Sequence, residues 1–302
     1  MAGVLIIADG MADDSAGIDG ALASLSEAHT PAIDYIRTHG STLRCYFINS
    51  GESVGSEYAI ASILKSPVRL ARGPLEALGL GLRFTDNYMA ARVDRVDSAC
   101  AKIPWGEDIL SSLRKRGVES YPLATGGTLM IKPDDMPSLG DLLDELGVAR
   151  SDFRIWGEGR CVIPEIISQR RGTVVAGLSL LKGLADVAGM DFIRPEGADG
   201  TITTDYAAKG RAAVSLLEKG EELVVVHIEA PDTASHLRCR DLKVEALSLI
   251  DRNIVGPLLN YALSCSQEVE IKVMSDHPAS PVTGKHINGP VDCFTFNNMT
   301  KR

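Results

Sequence analysis

Three acidic positions in the sequence share one context. Val4-Leu5-Ile6-Ile7-Ala8 runs into Asp9-Gly10, Leu223 to Ile228 runs into Glu229-Ala230-Pro231-Asp232, and Glu270 to Met274 runs into Ser275-Asp276-His277. Short runs of this kind, bounded by turn residues, read as buried parallel strands. Open α/β sheets take their ligands at the carboxyl ends of such strands. If the three strands lie side by side, their carboxylates converge on one sheet edge. Asp232 and His236 stand four residues apart and share a face of any helix through them. His286 follows ten residues after Asp276, beyond a proline-rich turn. Carboxylate oxygen with imidazole nitrogen suits Mn2+ or Zn2+ better than Ca2+. Each piece alone also has an ordinary explanation, because a strand-end Asp caps the next helix and an Asp-x-x-x-His pair decorates helix surfaces. Together the three motifs favour a metal site.

The elements that would position these residues alternate strand and helix. Thr30-Pro31 opens a helix that closes at His39-Gly40, Leu43 to Ile48 reads as a strand, and Ser56 to Leu64 as a helix with Glu57 in its first turn. Ser56 by itself reads as the cap of that helix. Arg72 to Gly81 is rich in turn residues. From 95 to 171 the texture changes, broken by Pro104, Pro122, Gly126-Gly127, Pro133 and Pro137, with an amphipathic helix over Leu139 to Leu146. Beyond it come a strand at Thr173 to Ala176, helices over Leu178 to Ala188 and Tyr206 to Glu218, and a long helix over Leu242 to Ala262. This order predicts an α/β sandwich around a mostly parallel sheet. Its core would comprise residues 1–94 and 172–302, with an inserted cap subdomain at 95–171. Trp105 and Trp156 are expected to pack that insert, or one of them to line a cleft.

The chain has 302 residues, 31 basic against 40 acidic, and a net charge of −9. Hydrophobic residues make up 45% and charged ones 24%, the proportions of a globular protein. The acidic balance argues against a broad nucleic-acid binder. No apolar run reaches the roughly 20 residues of a membrane span, and no basic leader region opens the chain. Six scattered cysteines with no C-x-x-C pair read as reduced thiols, which points to the cytoplasm. A small phosphorylated metabolite, rather than nucleic acid or membrane, is the expected partner; the sequence is silent on oligomeric state.

Taken in order, Asp9-Gly10, His29-Thr30-Pro31-Ala32-Ile33-Asp34, Gly55-Ser56-Glu57, Arg72-Gly73-Pro74-Leu75-Glu76-Ala77, Gly197-Ala198-Asp199-Gly200 with Thr204-Asp205-Tyr206 and Lys209, His227 to His236, Asp276-His277-Pro278 and His286 resemble the alkaline phosphatase superfamily. The closer resemblance is to the archaeal-type cofactor-independent phosphoglycerate mutases, a group that also collects predicted homoserine kinases. It covers roughly residues 1–93 and 154–296. The resemblance implies a three-layer sandwich and two divalent ions, Mn2+ or Zn2+ with Mg2+ as the third option. Asp9, Ser56, Asp276 and His277 would hold one ion, and Asp232, His236 and His286 the other. Ser56 would be the nucleophile that carries a phosphoserine. Arg72, Arg92 and Lys209 would offer positive charge to the substrate, each having a solvated surface position as its plain alternative. The ions would let an acidic protein hold phosphate.

Against the family pattern, the cap is short and contains no Asp-Pro-His motif. Ile60 stands where His is frequent, and Lys65-Ser66-Pro67 replaces Gly-Tyr-Asp-Pro. Ser235 replaces the Gly before the metal histidine, and Ala279 the Thr after Asp-His-Pro. A smaller cap admits water, so hydrolysis or another acceptor stands beside mutase chemistry. Homoserine-kinase-like transfer, or a non-catalytic protein that binds a phosphorylated ligand, completes the alternatives.

Overall fold

Along Ala2–Ala8 alternate side chains serve different layers: Val4, Ile6 and Ala8 join one apolar cluster and Ile7 another, so both faces of this strand, β1, are covered. The computed structural model describes residues 1–13, 23–49, 51–66, 68–85, 87–98, 102–123, 127–162 and 172–300. After β1 come helices α1 (Ala23–Glu27) and α2 (Pro31–His39), strand β2 (Ser41–Cys45), and helices α3 (Ser56–Ile63) and α4 (Arg72–Gly79). The middle of the chain holds β3 (Tyr88–Val96), β4 (Lys102–Ile103), α5 (Glu107–Lys115), β5 (Glu119–Pro122), β6 (Thr128–Pro133), α6 (Leu139–Glu145) and β7 (Phe153–Arg160). The remainder holds β8 (Thr173–Val175), α7 (Ser179–Ala188), β9 (Asp191–Ile193), α8 (Tyr206–Glu218) and β10 (Leu223–Ile228). It ends with α9 (Ala230–His236), α10 (Arg240–Ile250), α11 (Gly256–Ser264), β11 (Val269–Met274) and β12 (Val291–Asn297).

Seven strands form one sheet in the order β2-β12-β11-β1-β10-β8-β9. The five from β11 to β9 are parallel, and β12 runs against both β11 and β2. Ile7 pairs with His227 on one side and Met274 on the other, so β1, β10 and β11 end level. One face of the sheet packs on α2, α8, α10 and α11, the other on α3, α4 and α7, which makes three layers. No helix among the described residues is long and apolar enough to cross a membrane. Of the six cysteines, Cys100 lies outside the described residues and the other five are free thiols.

A second, antiparallel sheet is built from β3 to β7, with β3 between β6 and β7. It begins at Tyr88, so the boundary drawn at 94/95 cuts through β3. Arg92, Asp94 and Arg95 interrupt the apolar pattern there and hid the strand. The boundary at 171 falls outside the described residues. Trp105 packs against α5 and α6 in this unit, as expected, whereas Trp156 faces the core.

Two further expectations change. The segment Arg72–Gly79 is helix α4 rather than turns. Its glycines allow close approach: a Cβ on Gly73 would lie 2.4 Å from the Ala90 carbonyl oxygen, and one on Gly79 1.8 Å from that of Ser179. The long C-terminal helix is interrupted by a π turn at Asp251–Val255, where Asp251 accepts from the Ala32 and Ile33 amides at the start of α2. Because α4 and α7 touch backbone to backbone, with a Gly183 Cβ site only 1.9 Å from the Leu75 carbonyl oxygen, Gly183→Ala should destabilise the chain by about 1–3 kcal/mol. Urea unfolding checks this, and an unchanged midpoint would contradict the packing described.

Candidate metal centre

The level strand ends bring their acidic residues to one edge of the sheet. Asp9 follows β1, Glu229 and Asp232 follow β10, and Asp276 and His277 follow β11, all of them buried. His236 closes α9, His286 lies in the loop before β12, and Ser56 is the first residue of α3. Gly10 lets the β1 loop pass against α9: its φ is +62°, and a Cβ there would meet the Asp232 Cα at 3.0 Å.

Two groups of ligand atoms form. In one, Asp232 Oδ2 lies 3.1 Å from His236 Nε2, Asp232 Oδ1 lies 3.2 Å from His286 Nε2, and the two Nε2 atoms are 3.1 Å apart. Each of these imidazoles turns Nδ1 to a backbone carbonyl at 2.9 Å, that of Gly284 for His236 and that of Val54 for His286. A neutral ring that donates from Nδ1 presents a lone pair at Nε2. In the other group, Ser56 Oγ stands 3.1 Å from Asp9 Oδ2 and 3.2 Å from His277 Nε2. His277 Nε2 is 3.5 Å from Asp9 Oδ1 and 3.4 Å from Asp276 Oδ2. Asp9, Asp232 and His277 bridge the groups, with ligand atoms all within 4.8 Å of one another.

The centre is short of donors. Asp9 Oδ1, Asp276 Oδ2 and Glu229 Oε2 are buried without a hydrogen bond among the described residues. Burial, reinforced by Asp276, Glu229 and Asp232, pushes the Asp9 carboxyl well above the usual carboxylate range. Burial pushes His227 down to about 3, so it is neutral beside Asp9 Oδ2, 3.1 Å away. For Asp232 burial works the other way, yet hydrogen bonds from His236 and His286 hold it well below the ordinary value. Converging carboxylates and imidazoles, with oxygens left unsatisfied, fit divalent cations.

Arg72, Arg92 and Lys209 are all buried, against their surface alternative. Glu76 on α4 accepts from Arg72 Nε at 2.9 Å and from an Arg92 terminal nitrogen at 3.2 Å. Both guanidinium carbons sit 4.9 Å from the Trp156 ring, whose Nε1 donates to Asp94 Oδ2 at 3.1 Å. Glu76, with Glu229 and Glu57, raises the Arg72 guanidinium further in spite of burial. Lys209 Nζ donates to the carbonyls of Asp199 and His227, each at 3.3 Å, and burial brings it down to about 8. His227 and Glu76 were missed as site residues in the sequence, Trp156 was offered only as one of two tryptophans that could line a cleft, and Glu229 was seen only as a strand-end acid. For His227 the signal was a titratable residue inside an apolar strand. The departures at Ser235 and Ala279 touch, since Ser235 Oγ donates to the Ala279 carbonyl at 3.2 Å. Ile60 is fully buried among apolar residues.

Residues 1–302 match the metalloenzyme superfamily. The chain belongs to that superfamily. It is 30% identical to the 2,3-bisphosphoglycerate-independent phosphoglycerate mutase 2 of Methanothermobacter thermautotrophicus, over 96% of this chain and 87% of that one. It is 28% identical to the corresponding mutase of Methanosarcina barkeri, over 95% and 88%. The latter alignment runs over 353 residues against 302 here, so the relative carries segments this chain lacks. A solved Pyrococcus horikoshii protein superposes with a TM-score of 0.72 at 26% identity, covering 97% of this chain and 84% of that one. The cofactor-independent phosphoglycerate mutase of Thermoplasma acidophilum shares the fold, with a TM-score of 0.55, 18% identity and coverage of 98% and 90%. Membership makes the chain a metal-dependent phosphotransferase or isomerase with an alkaline-phosphatase-like α/β fold.

Although burial opposes it, Asp232 holds the His286 imidazolium up to about 9 in the metal-free chain, against an ordinary 6.5. A raised histidine stabilises the fold fully below the unfolded value and loses that contribution as pH rises through the folded one. In EDTA, His286→Gln should therefore cost more stability near pH 6 than above pH 9 in urea unfolding. An equal loss at both would contradict the pairing.

Proposed function

We propose that this chain is a two-metal phosphoryl-transfer enzyme of the phosphoglycerate mutase type, acting on a small phosphorylated metabolite through a phosphoserine at Ser56. One observation carries the reading: Ser56 Oγ stands at the start of α3, within 3.2 Å of both Asp9 and His277. Asp9, Ser56, Asp276 and His277 would hold one ion, and Asp232, His236 and His286 the other. Mn2+ or Zn2+ suits these donors, with Mg2+ the harder alternative. When bound, such ions favour the ionised serine and offset charge on phosphoryl oxygens.

Ser56 Oγ bonds to phosphorus as the bond from phosphorus to the substrate oxygen breaks, and the proton given up by the serine hydroxyl ends on that leaving oxygen. The helix start behind Ser56 favours the negative charge that gathers there. Arg72, with Nε fixed on Glu76, offers its terminal nitrogens to the phosphate. Arg92 and Lys209, each 1% exposed, lend charge rather than contact. Returning the phosphoryl group to another hydroxyl of the retained glycerate completes a mutase cycle.

A second reading, phosphatase action, is favoured by access. The His236 side chain is 48% exposed, so one edge of the centre is open to water, and the chain lacks segments that its longer relatives carry. A homoserine-kinase-like acceptor has no specific observation behind it. The five described cysteines, all unpaired, suit the reducing cytoplasm.

Incubation with 3-phosphoglycerate and Mn2+, reading 2-phosphoglycerate and inorganic phosphate separately, decides between the two chemistries. Ser56→Ala should lower either product by about three orders of magnitude or more, and quenched wild type should carry phosphate on Ser56 by mass spectrometry. Turnover that survives Ser56→Ala would exclude it as the nucleophile.

A further inference from the structure

We infer that Lys243 is a positioning residue whose buried ammonium ties together the loops carrying the ligands of the centre. The inference rests on the metal-centre reading above. Lys243 lies on α10 with a side chain 0% exposed, and it ion-pairs with Asp13 Oδ1 at 2.6 Å. Its Nζ also donates to the carbonyls of Ala279 at 2.8 Å and Ala12 at 3.3 Å. The ammonium therefore gives two hydrogen bonds to carbonyls and one close ion pair to a carboxylate.

These oxygens belong to the loops that matter. Ala12 and Asp13 follow Asp9-Gly10, and Ala279 stands three residues beyond Asp276. The Ala279 amide donates to the Ala12 carbonyl at 2.8 Å, which joins the two loops directly. Ser235, next to His236, donates its hydroxyl to the same Ala279 carbonyl that Lys243 holds. Ala279 also pairs with His286 as an isolated β-bridge. The segments bearing Asp9, Asp276, His277, His236 and His286 thus meet at Ala279, and Lys243 supplies the cation of that knot.

Stability alone does not explain a lysine here. A buried ion pair exchanged for neutral groups of similar size is often neutral or even stabilising, while removal of one partner strands the other charge. What the pair uniquely provides is geometry, because apolar side chains could fill the volume but could not hold two carbonyls in place. Burial pushes the Lys243 ammonium down, and the Asp13 and Asp232 carboxylates oppose that shift.

The test is calorimetric titration of Mn2+ alone into metal-free wild type, Lys243→Met, Lys243→Met/Asp13→Asn and Ile250→Val. The double variant removes the stranded Asp13 charge and should recover most of the thermal midpoint lost by Lys243→Met. Both Lys243 variants should bind Mn2+ about 10- to 100-fold more weakly, the size of effect seen when outer partners of metal ligands are removed. Ile250→Val, a buried change on the same helix, should lower the midpoint and leave Mn2+ affinity unmoved. A folded double variant with wild-type affinity would overturn the role of Lys243 and leave the centre standing. Wild type that takes up no Mn2+ would overturn both.

Discussion

Burying a carboxylate without a partner costs several kcal/mol, and this fold buries Asp9, Glu229, Asp232 and Asp276 beside one another. A domain's whole stability is about 5–15 kcal/mol, so four uncompensated anions would exhaust it. Protonation of Asp9, imidazolium partners for Asp232 and the buried cations Arg72 and Lys209 each relieve part of that repulsion. Divalent cations relieve it where it is greatest and without consuming protons. Part of the net charge of −9 is therefore concentrated at a place where metal can neutralise it.

Helix α4 carries that centre into the second sheet. Leu75 and Leu78 face the core layer, Ala77 faces the second sheet, and Glu76 joins Arg72 of one unit to Arg92 of the other. Trp156 packs on both guanidiniums. A shift of the second sheet would therefore be felt at Arg72, and so at the phosphate position we propose. A short cap still touches the chemistry because its β3 and β7 supply this anchoring.

The legible part of the fold was the part whose pattern repeats. Apolar runs ending in Asp9, Glu229 and Asp276 gave away strands β1, β10 and β11, and a parallel sheet leaves such acids at one edge. Capping and breaking residues such as Pro31 and Gly189 marked α2 and α7. Helix α4 was obscured because its glycines serve contact with neighbouring backbones, a tertiary need that locally looks like a turn. Strand β3 was obscured because Arg92 and Asp94 pair with each other and find further partners in Glu76 and Trp156, which lie elsewhere in the sequence. Metal-ligand candidates could be named through resemblance and spacing, but the tautomers set by Gly284 and Val54 could not. Nor could Lys243, which in sequence is one more charge on an amphipathic helix.

Cations occupying this acceptor-lined edge would compensate the buried carboxylates. Anomalous diffraction at the manganese edge, from crystals grown with Mn2+, tests that directly. Two peaks are predicted, one among Asp232, His236 and His286 and one among Asp9, Ser56, Asp276 and His277. Ordered side chains at these positions with no anomalous density between them would contradict it.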